Sequence, residues 1–336
     1  MRVLHDLTRD NILLSRPNIR TEKHENDRAD FVSAIDCTDL DAKVAGFVHA
    51  SLAANTRLAY AADLVAFRAW GGTLPASPEI VAAYLADHAD TLASATLLRR
   101  LASISKAHKA RLLPNPVASE LVRATMQGIR RTRKRPSRAA KPLLQDDLFA
   151  VLDTIGSTSL PDCRDRALLL LGFAGGFRRS ELVGLDVSDL SWTRQGIVIT
   201  LRRSKTDQTA EGRRVGISYG GGRHCPVQAL EQWLVVSGIE RGPLFRSINR
   251  YGATSSARLS GEAVSLIIKQ RVEAAGFEPA GFSGHSLRAG FVTSAAMAGV
   301  PTWKIRRQTR HSSDLTLNRY IRPLDLFRLN SSNGLL

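Results

Sequence analysis

Cysteine is scarce in this chain: Cys37, Cys163 and Cys225 are the three in 336 residues, far apart and with no CxxC pair. That argues against a disulfide framework and a zinc knuckle and leaves ordinary reduced thiols. Long apolar runs are also missing. The longest, Ala167 to Phe177, is closed by Arg166 and Arg178, too short to cross a bilayer and suited to a buried helix. Charges interrupt the leucines of the first twenty residues, so no secretory signal is read there, and a cytoplasmic location with no membrane partner is expected. Gly220 to Gly222 are not followed by Lys-Ser or Lys-Thr, so no phosphate-cradling nucleotide loop and no ATP are implied. Asp39-Leu40-Asp41 and Asp146-Asp147 read as turns and caps, and His224-Cys225 makes a poor ligand pair. No metal and no cofactor are therefore expected, and activity should persist in chelator. Acidic residues are in deficit, 31 against 47 basic ones, for a formal charge of +16. Because the basic residues gather in patches, a polyanion, nucleic acid before acidic membrane, is the expected partner.

What is present organises into two folded parts, with 43% apolar residues to fill their cores. Residues 1–45 mix charges of both signs without a period and read as a flexible arm. Residues 46–130 carry helix punctuation: Asn55-Thr56 before an alanine- and leucine-rich stretch, Ser77-Pro78-Glu79 as cap and first turn, then helices at Ser94 to Leu112 and Val117 to Arg130 around Pro114-Asn115-Pro116. Leu97, Leu98, Leu101 and Ile104 share one face of the third helix, and Arg99, Arg100 and Lys106 lie on others. In a basic chain those residues are candidates for phosphate contact. Residues 131–142 form a basic linker. The stretch Arg130 to Lys141 holds seven basic residues and no acid, and Arg130, Arg131, Arg133, Lys134 and Arg135 are expected to follow a phosphate backbone. Residues 143–336 alternate helices with one hairpin, in which Ile197 to Leu201 pairs with Arg213 to Ile217 across a turn at Asp207 to Gly212. The expected fold is mainly α with a small β-hairpin or sheet. The tail from Ile321 carries Leu324, Leu326, Phe327 and Leu329, suited equally to docking on a neighbouring protomer and to packing on its own domain.

The chemistry concentrates in the second part. Arg178 and Glu181 stand three apart on an expected helix, as do His285 and Arg288 on another, so each pair can point into one site. His285 follows Ser283-Gly284, a helix start whose free N–H groups favour a phosphate. Two planar guanidinium forks match the oxygens of a phosphate on which charge grows during attack. Tyr320 is the candidate nucleophile, because a phenol can displace a sugar oxygen and later be displaced by one. His311 precedes it by nine residues, which on an unbroken helix would place the two on opposite faces, so a break at Ser312 to Asp314 is expected. Lys205, at the end of the first hairpin strand, is the candidate general acid for the departing oxygen. Any one of these residues alone reads more simply as structural; the ordered set is what points to metal-free phosphodiester cleavage.

The motifs Gly176-Phe177-Arg178-x-Ser180-Glu181-Leu182, His285-x-x-Arg288-x-Gly290 and His311 followed by Tyr320 come in the order and approximate spacing of the tyrosine recombinases, the phage integrase and Cre/Xer group, which the chain resembles from about Asn55 to Arg322. The resemblance implies a two-domain enzyme, with a helical core-binding domain and a mixed catalytic domain clamping duplex DNA. It assigns catalysis to Arg178, Lys205, His285, Arg288, His311 and Tyr320, with Glu181 in support. It implies strand exchange through a 3′-phosphotyrosine and a Holliday junction, a homotetramer on paired, specific recombination sites, accessory DNA-bending proteins as further partners, and a bacterial or mobile-element origin at the nucleoid. The family often has glycine before the second histidine, where this chain has Arg310. A type IB topoisomerase-like enzyme and a DNA-binding regulator without strand chemistry are the competing readings.

Overall fold

The computed structural model describes residues 50–133, 140–202 and 213–311, together with 43, 44, 46, 47, 317 and 320. It divides the chain into two compact units, Met1–Ser137 and Arg138–Leu336. Most of the N-terminal arm, Lys134 and Arg135, Lys205 with the hairpin turn, Ser312 to Asp314 and the tail lie outside the described residues.

From Ala54 on, the described residues of the first unit form the helices α1 (Ala54–Ala69), α2 (Pro78–Asp87), α3 (Ser94–Ala110) and α4 (Glu120–Thr132). Ser77 caps α2 by accepting a hydrogen bond from Ile80 N at 3.4 Å, and Pro78 starts it where no N–H is needed. The fourth helix expected from Val117 is broken. Pro116–Ala118 is a 3₁₀ turn, and Ser119 is extended and caps α4 by accepting from Val122 N at 3.3 Å. Phe67, Val81, Tyr84, Leu85, Leu97, Leu101, Ile104, Val122, Met126 and Ile129 form the core, each large apolar side chain contributing about 1.5–3 kcal/mol on burial. His108 closes it, its Nε2 accepting from Ala76 N at 3.0 Å.

The second unit is built on α6 (Leu160–Ala174), whose Leu168, Leu169 and Leu171 are fully buried, the buried helix read from the apolar run. It is preceded by α5 (Gln145–Asp153), followed by α7 (Arg179–Gly184), and packed against α8 (Pro226–Ser237). Trp233 of α8 is wholly buried, and its indole N–H donates to Leu244 O at 2.9 Å. A three-stranded antiparallel sheet runs in the order β1 (Leu190–Thr193), β2 (Gly196–Leu201), β3 (Arg213–Ser218). Its central pairs, Ile197 with Ile217 and Ile199 with Val215, turn inward to the core. A two-stranded ladder, β4 (Arg246–Ile248) with β5 (Thr254–Arg258), precedes α9 (Gly261–Ala274), α10 (Ser286–Met297) and α11 (Thr302–Thr309). The architecture is mainly helical with small antiparallel sheets.

Two contacts with Leu143 help to fix α10. Leu143 N donates to Ser286 O at 3.0 Å, and Gly290 lies so close beneath the Leu143 carbonyl that any β-carbon there would overlap backbone. Among the described residues no helix is long and apolar enough to cross a membrane.

Candidate active site

Arg178 is not inside a helix, as its spacing from Glu181 suggests, but is the extended residue that caps α7. From that position its backbone N–H donates to Glu181 Oε2 at 2.7 Å and its guanidinium to Glu181 Oε1 at 2.7 Å. The two residues therefore do share a site, through a capping contact rather than through a helix face. Gly176, two residues earlier, is left-handed at φ +55°. Its carbonyl accepts from Arg288 Nη1 at 2.6 Å, so the glycine of the first motif positions the arginine of the second.

Arg288 is 1% exposed. Burial, with Arg178 adding to it, lowers its guanidinium to about 10; it stays charged at neutral pH, and its Nη2 is buried without a hydrogen-bond partner among the described residues. His285 stands at the start of α10, where its N–H donates to Ser283 Oγ at 3.2 Å and Ser283 N donates to Ser286 Oγ at 2.9 Å. Its Nε2 lies 2.6 Å from the Tyr320 hydroxyl. Loss of water, then the charges of Arg288 and Arg178, hold His285 below the ordinary histidine pKa. The ring is neutral at pH 7, and in the tautomer with its proton on Nδ1 the Nε2 lone pair accepts the phenolic hydrogen.

Tyr320 is itself helical, and with Leu317 it packs on Val292 and Ile305. That apolar seat puts the phenol ring between two imidazoles, 6.1 Å from His285 and 5.8 Å from His311 between centroids. His311 is buried and pushed down to about 4, by burial first and then by Arg288 and Arg178. Thr309 settles its tautomer. The threonine hydroxyl donates its hydrogen to Ile305 O at 2.7 Å and so accepts from His311 Nδ1 at 2.7 Å, leaving Nε2 unprotonated.

Arg310 joins the set through Glu181, donating from Nη2 to Oε2 at 2.7 Å. Beside it opens a cleft of about 720 Å³ lined by Arg213 and Arg214 of β3, Trp303, Arg306 and Arg307 of α11, Arg310 and His311. Gln308 ties α11 to β3 and α6, donating to Gly216 O at 3.3 Å and Ala174 O at 3.1 Å. The structure thus gathers Arg178, Glu181, His285, Arg288, His311 and Tyr320, and places five arginines on the adjoining cleft. Sequence reasoning passed over Thr309 and, apart from marking Arg310 as a departure, the cleft arginines. The run Arg306-Arg307 before Gln308 is the signal that could have found part of it.

The residues proposed for phosphate contact in the first unit sit differently. Arg99 holds Asp63 in a bidentate pair, 2.9 Å on each side, and Arg100 bonds the Tyr84 hydroxyl, so both brace α3 against its neighbours. Arg133 pairs with Asp90 at 2.6 Å, whereas Lys106, Arg130 and Arg131 are exposed.

Arginines, neutral histidines and a tyrosine in one group have the chemistry to hold a phosphate. The model of the phage integrase family matches residues 141–326. An integrase/recombinase xerD homolog of Selenomonas ruminantium is 41% identical over 292 residues, which cover 84% of this chain and 86% of that protein. A lambda integrase dimer bound to a COC′ core site shares the fold at TM-score 0.59 and 18% identity, over 85% of this chain and 77% of that one. A lambda integrase tetramer bound to a Holliday junction does so at TM-score 0.57 and 18% identity, over 84% and 76%. The chain belongs to the phage integrase family of tyrosine recombinases, and its activity is site-specific recombination.

Proposed function

We propose that this recombinase breaks a DNA strand by attack of the Tyr320 oxygen on the scissile phosphorus. The P–O5′ bond breaks, a 3′-phosphotyrosine forms, and the phenolic proton passes to His285. The observation that carries this reading is the 2.6 Å contact between the Tyr320 hydroxyl and a neutral His285, beside the Arg178, Glu181 and Arg288 group. A base must be unprotonated and within hydrogen-bond reach of the proton it takes, and His285 meets both needs. Other tyrosines are less suited: Tyr84 and Tyr219 have phenols pushed up, the first by burial and the second by its hydrogen bond to Glu231. Arg178 and Arg288 take the two non-bridging oxygens, where charge grows in the transition state. His311 supports the same oxygens once the arriving phosphate favours a proton on its Nε2. Lys205 is assigned to protonate the departing 5′ oxygen.

Since the phosphotyrosine conserves the energy of the broken bond, neither metal nor ATP enters the scheme, and the reverse attack by a 5′ hydroxyl rejoins strands. Paired exchanges through a Holliday junction in a tetramer on two duplex sites complete the proposal, with accessory DNA-bending proteins as further partners. Residues 46–130 act as the core-binding domain, where Lys106, Arg130 and Arg131 offer phosphate contacts. Residues 131–142 form the linker, whose Arg133, Lys134 and Arg135 follow the backbone, and 143–336 form the catalytic domain.

The test is to incubate the protein with randomised duplex DNA in chelator, denature it, and capture DNA joined covalently to protein. Adduct from the unaltered enzyme and none from Tyr320→Phe supports the reading. Salt-sensitive binding with no adduct from either returns to a DNA-binding regulator; relaxation of supercoils without a preferred site returns to a topoisomerase.

A further inference from the structure

Arg310 ends α11 in the left-handed region, at φ +58° and ψ 45°. Leu112 is the other non-glycine residue with positive φ among the described residues. A glycine would adopt this turn without strain. The arginine adds a second cost, because its side chain folds inward. The residue is 6% exposed, and Nε and Nη1 are buried with no hydrogen-bond partner among the described residues. Both costs argue that the guanidinium is there for a purpose other than ending a helix.

Its surroundings show what that purpose is. Glu181 Oε2 accepts from Arg310 Nη2 and from the Arg178 backbone N–H, each at 2.7 Å, while Oε1 accepts from the Arg178 guanidinium at 2.7 Å. The Arg310 carbonyl accepts a longer contact from Arg178 Nη2 at 3.4 Å, and the Phe177 ring lies against its guanidinium, 5.7 Å from the centroid. One buried carboxylate is therefore divided between two arginines, and Arg178 is held from both sides by residue 310 and its partner.

The charge balance follows. With glycine at 310, Glu181 would cancel Arg178 and leave Arg288 as the sole net charge of the group. With Arg310 present, three guanidiniums against one carboxylate leave a formal +2. That matches a phosphorus centre whose two non-bridging oxygens become more negative as the tyrosine attacks, in a group whose histidines are neutral.

We propose that Arg310 is a positioning residue of strand cleavage: it takes up the charge of Glu181, so that Arg178 keeps its own charge for the scissile phosphate and is held in place to deliver it. This rests on the reading that Arg178 binds that phosphate.

The experiment uses the duplex captured from the randomised library, in single-turnover cleavage by the full chain and by R310G and R310K. R310G relieves the backbone strain, so a residue with only a structural role predicts a variant that folds as well or better and cleaves normally. The proposal predicts an unchanged or raised melting temperature and, with the DNA saturated by protein, cleavage slowed about 10- to 100-fold, the scale of losing a supporting partner of a charged group; R310K recovers part of the rate. The deciding substrate carries a neutral methylphosphonate at the mapped scissile position. With less charge to balance, the R310G deficit should shrink on it. Equal cleavage by R310G and the unaltered enzyme overturns the proposal, as does a deficit of the same size on both substrates. No adduct with the unaltered enzyme on any captured DNA would instead remove the strand-cleavage reading itself, and this inference with it.

Discussion

Two imidazoles flank the Tyr320 ring, and each is held below the ordinary histidine pKa by lost hydration and by the charges of Arg288 and Arg178. For catalysis this means that His285 is more than half unprotonated, and able to accept the phenolic proton, at about pH 6.5, where free histidine titrates. Single-turnover cleavage should therefore keep more than half its rate there and lose the rest at lower pH. A rate that halves at the free histidine value contradicts the assignment. For stability the sign is opposite to that of a salt-bridged histidine. The unfolded chain takes up protons near pH 6.5, whereas folded His311 does so only at about 4, so stability declines as pH falls through that window. Urea unfolding at pH 7 and pH 5 should show the decline, and His311→Gln should reduce it. That Arg178, Glu181, His285, Arg288, His311 and Tyr320 gather in one group was legible because their types, order and spacing match the recombinase motifs. Thr309 was not, since a threonine at the end of a helix is ordinary until the hydroxyl is seen to fix the His311 tautomer. The pairing of Arg99 and Arg100 with Asp63 was not legible, because nothing in one helix reveals an acid on another.

At the scale of elements, the catalytic geometry depends on how closely α10 sits against the chain at Leu143. Gly290 makes that approach possible. Gly290→Ala should push the helix away from the Leu143 carbonyl, destabilise the protein by about 1–3 kcal/mol as overpacking does, and misplace His285 and Arg288 together. Thermal melting and cleavage should fall in parallel; an alanine variant with unchanged melting and activity would refute the packing role. The helices were readable from Ser-Pro starts and from apolar spacing at three and four residues. β2 and β3 were readable from their β-branched runs. β1 was missed because Leu190-Ser-Trp-Thr is short and mostly exposed, and β4 and β5 because pairing across the ladder, rather than local preference, makes them strands. The break before α4 was missed because Val117 continues an apolar pattern that Pro116 and the Ser119 cap interrupt.

For the whole molecule, a formal charge of +16 and a cleft with five arginines set the terms on which a polyanion is met. If the protein neutralises several phosphates, DNA affinity should fall by about 10³–10⁵ between 50 and 200 mM salt, linearly in logarithms. Replacing Arg306 and Arg307 together by glutamine should lower that slope, and a slope unchanged by the double substitution would move the phosphate contacts elsewhere. The fold carries the chemistry only if one tyrosine out of the five in the chain becomes joined to DNA. The most direct test is to digest the covalent adduct with protease and nuclease and sequence the peptide that retains nucleotide. The expected product is a 3′-linked nucleotide on the peptide containing Tyr320, formed in chelator. A nucleotide on any other residue, or a 5′ linkage, would contradict it.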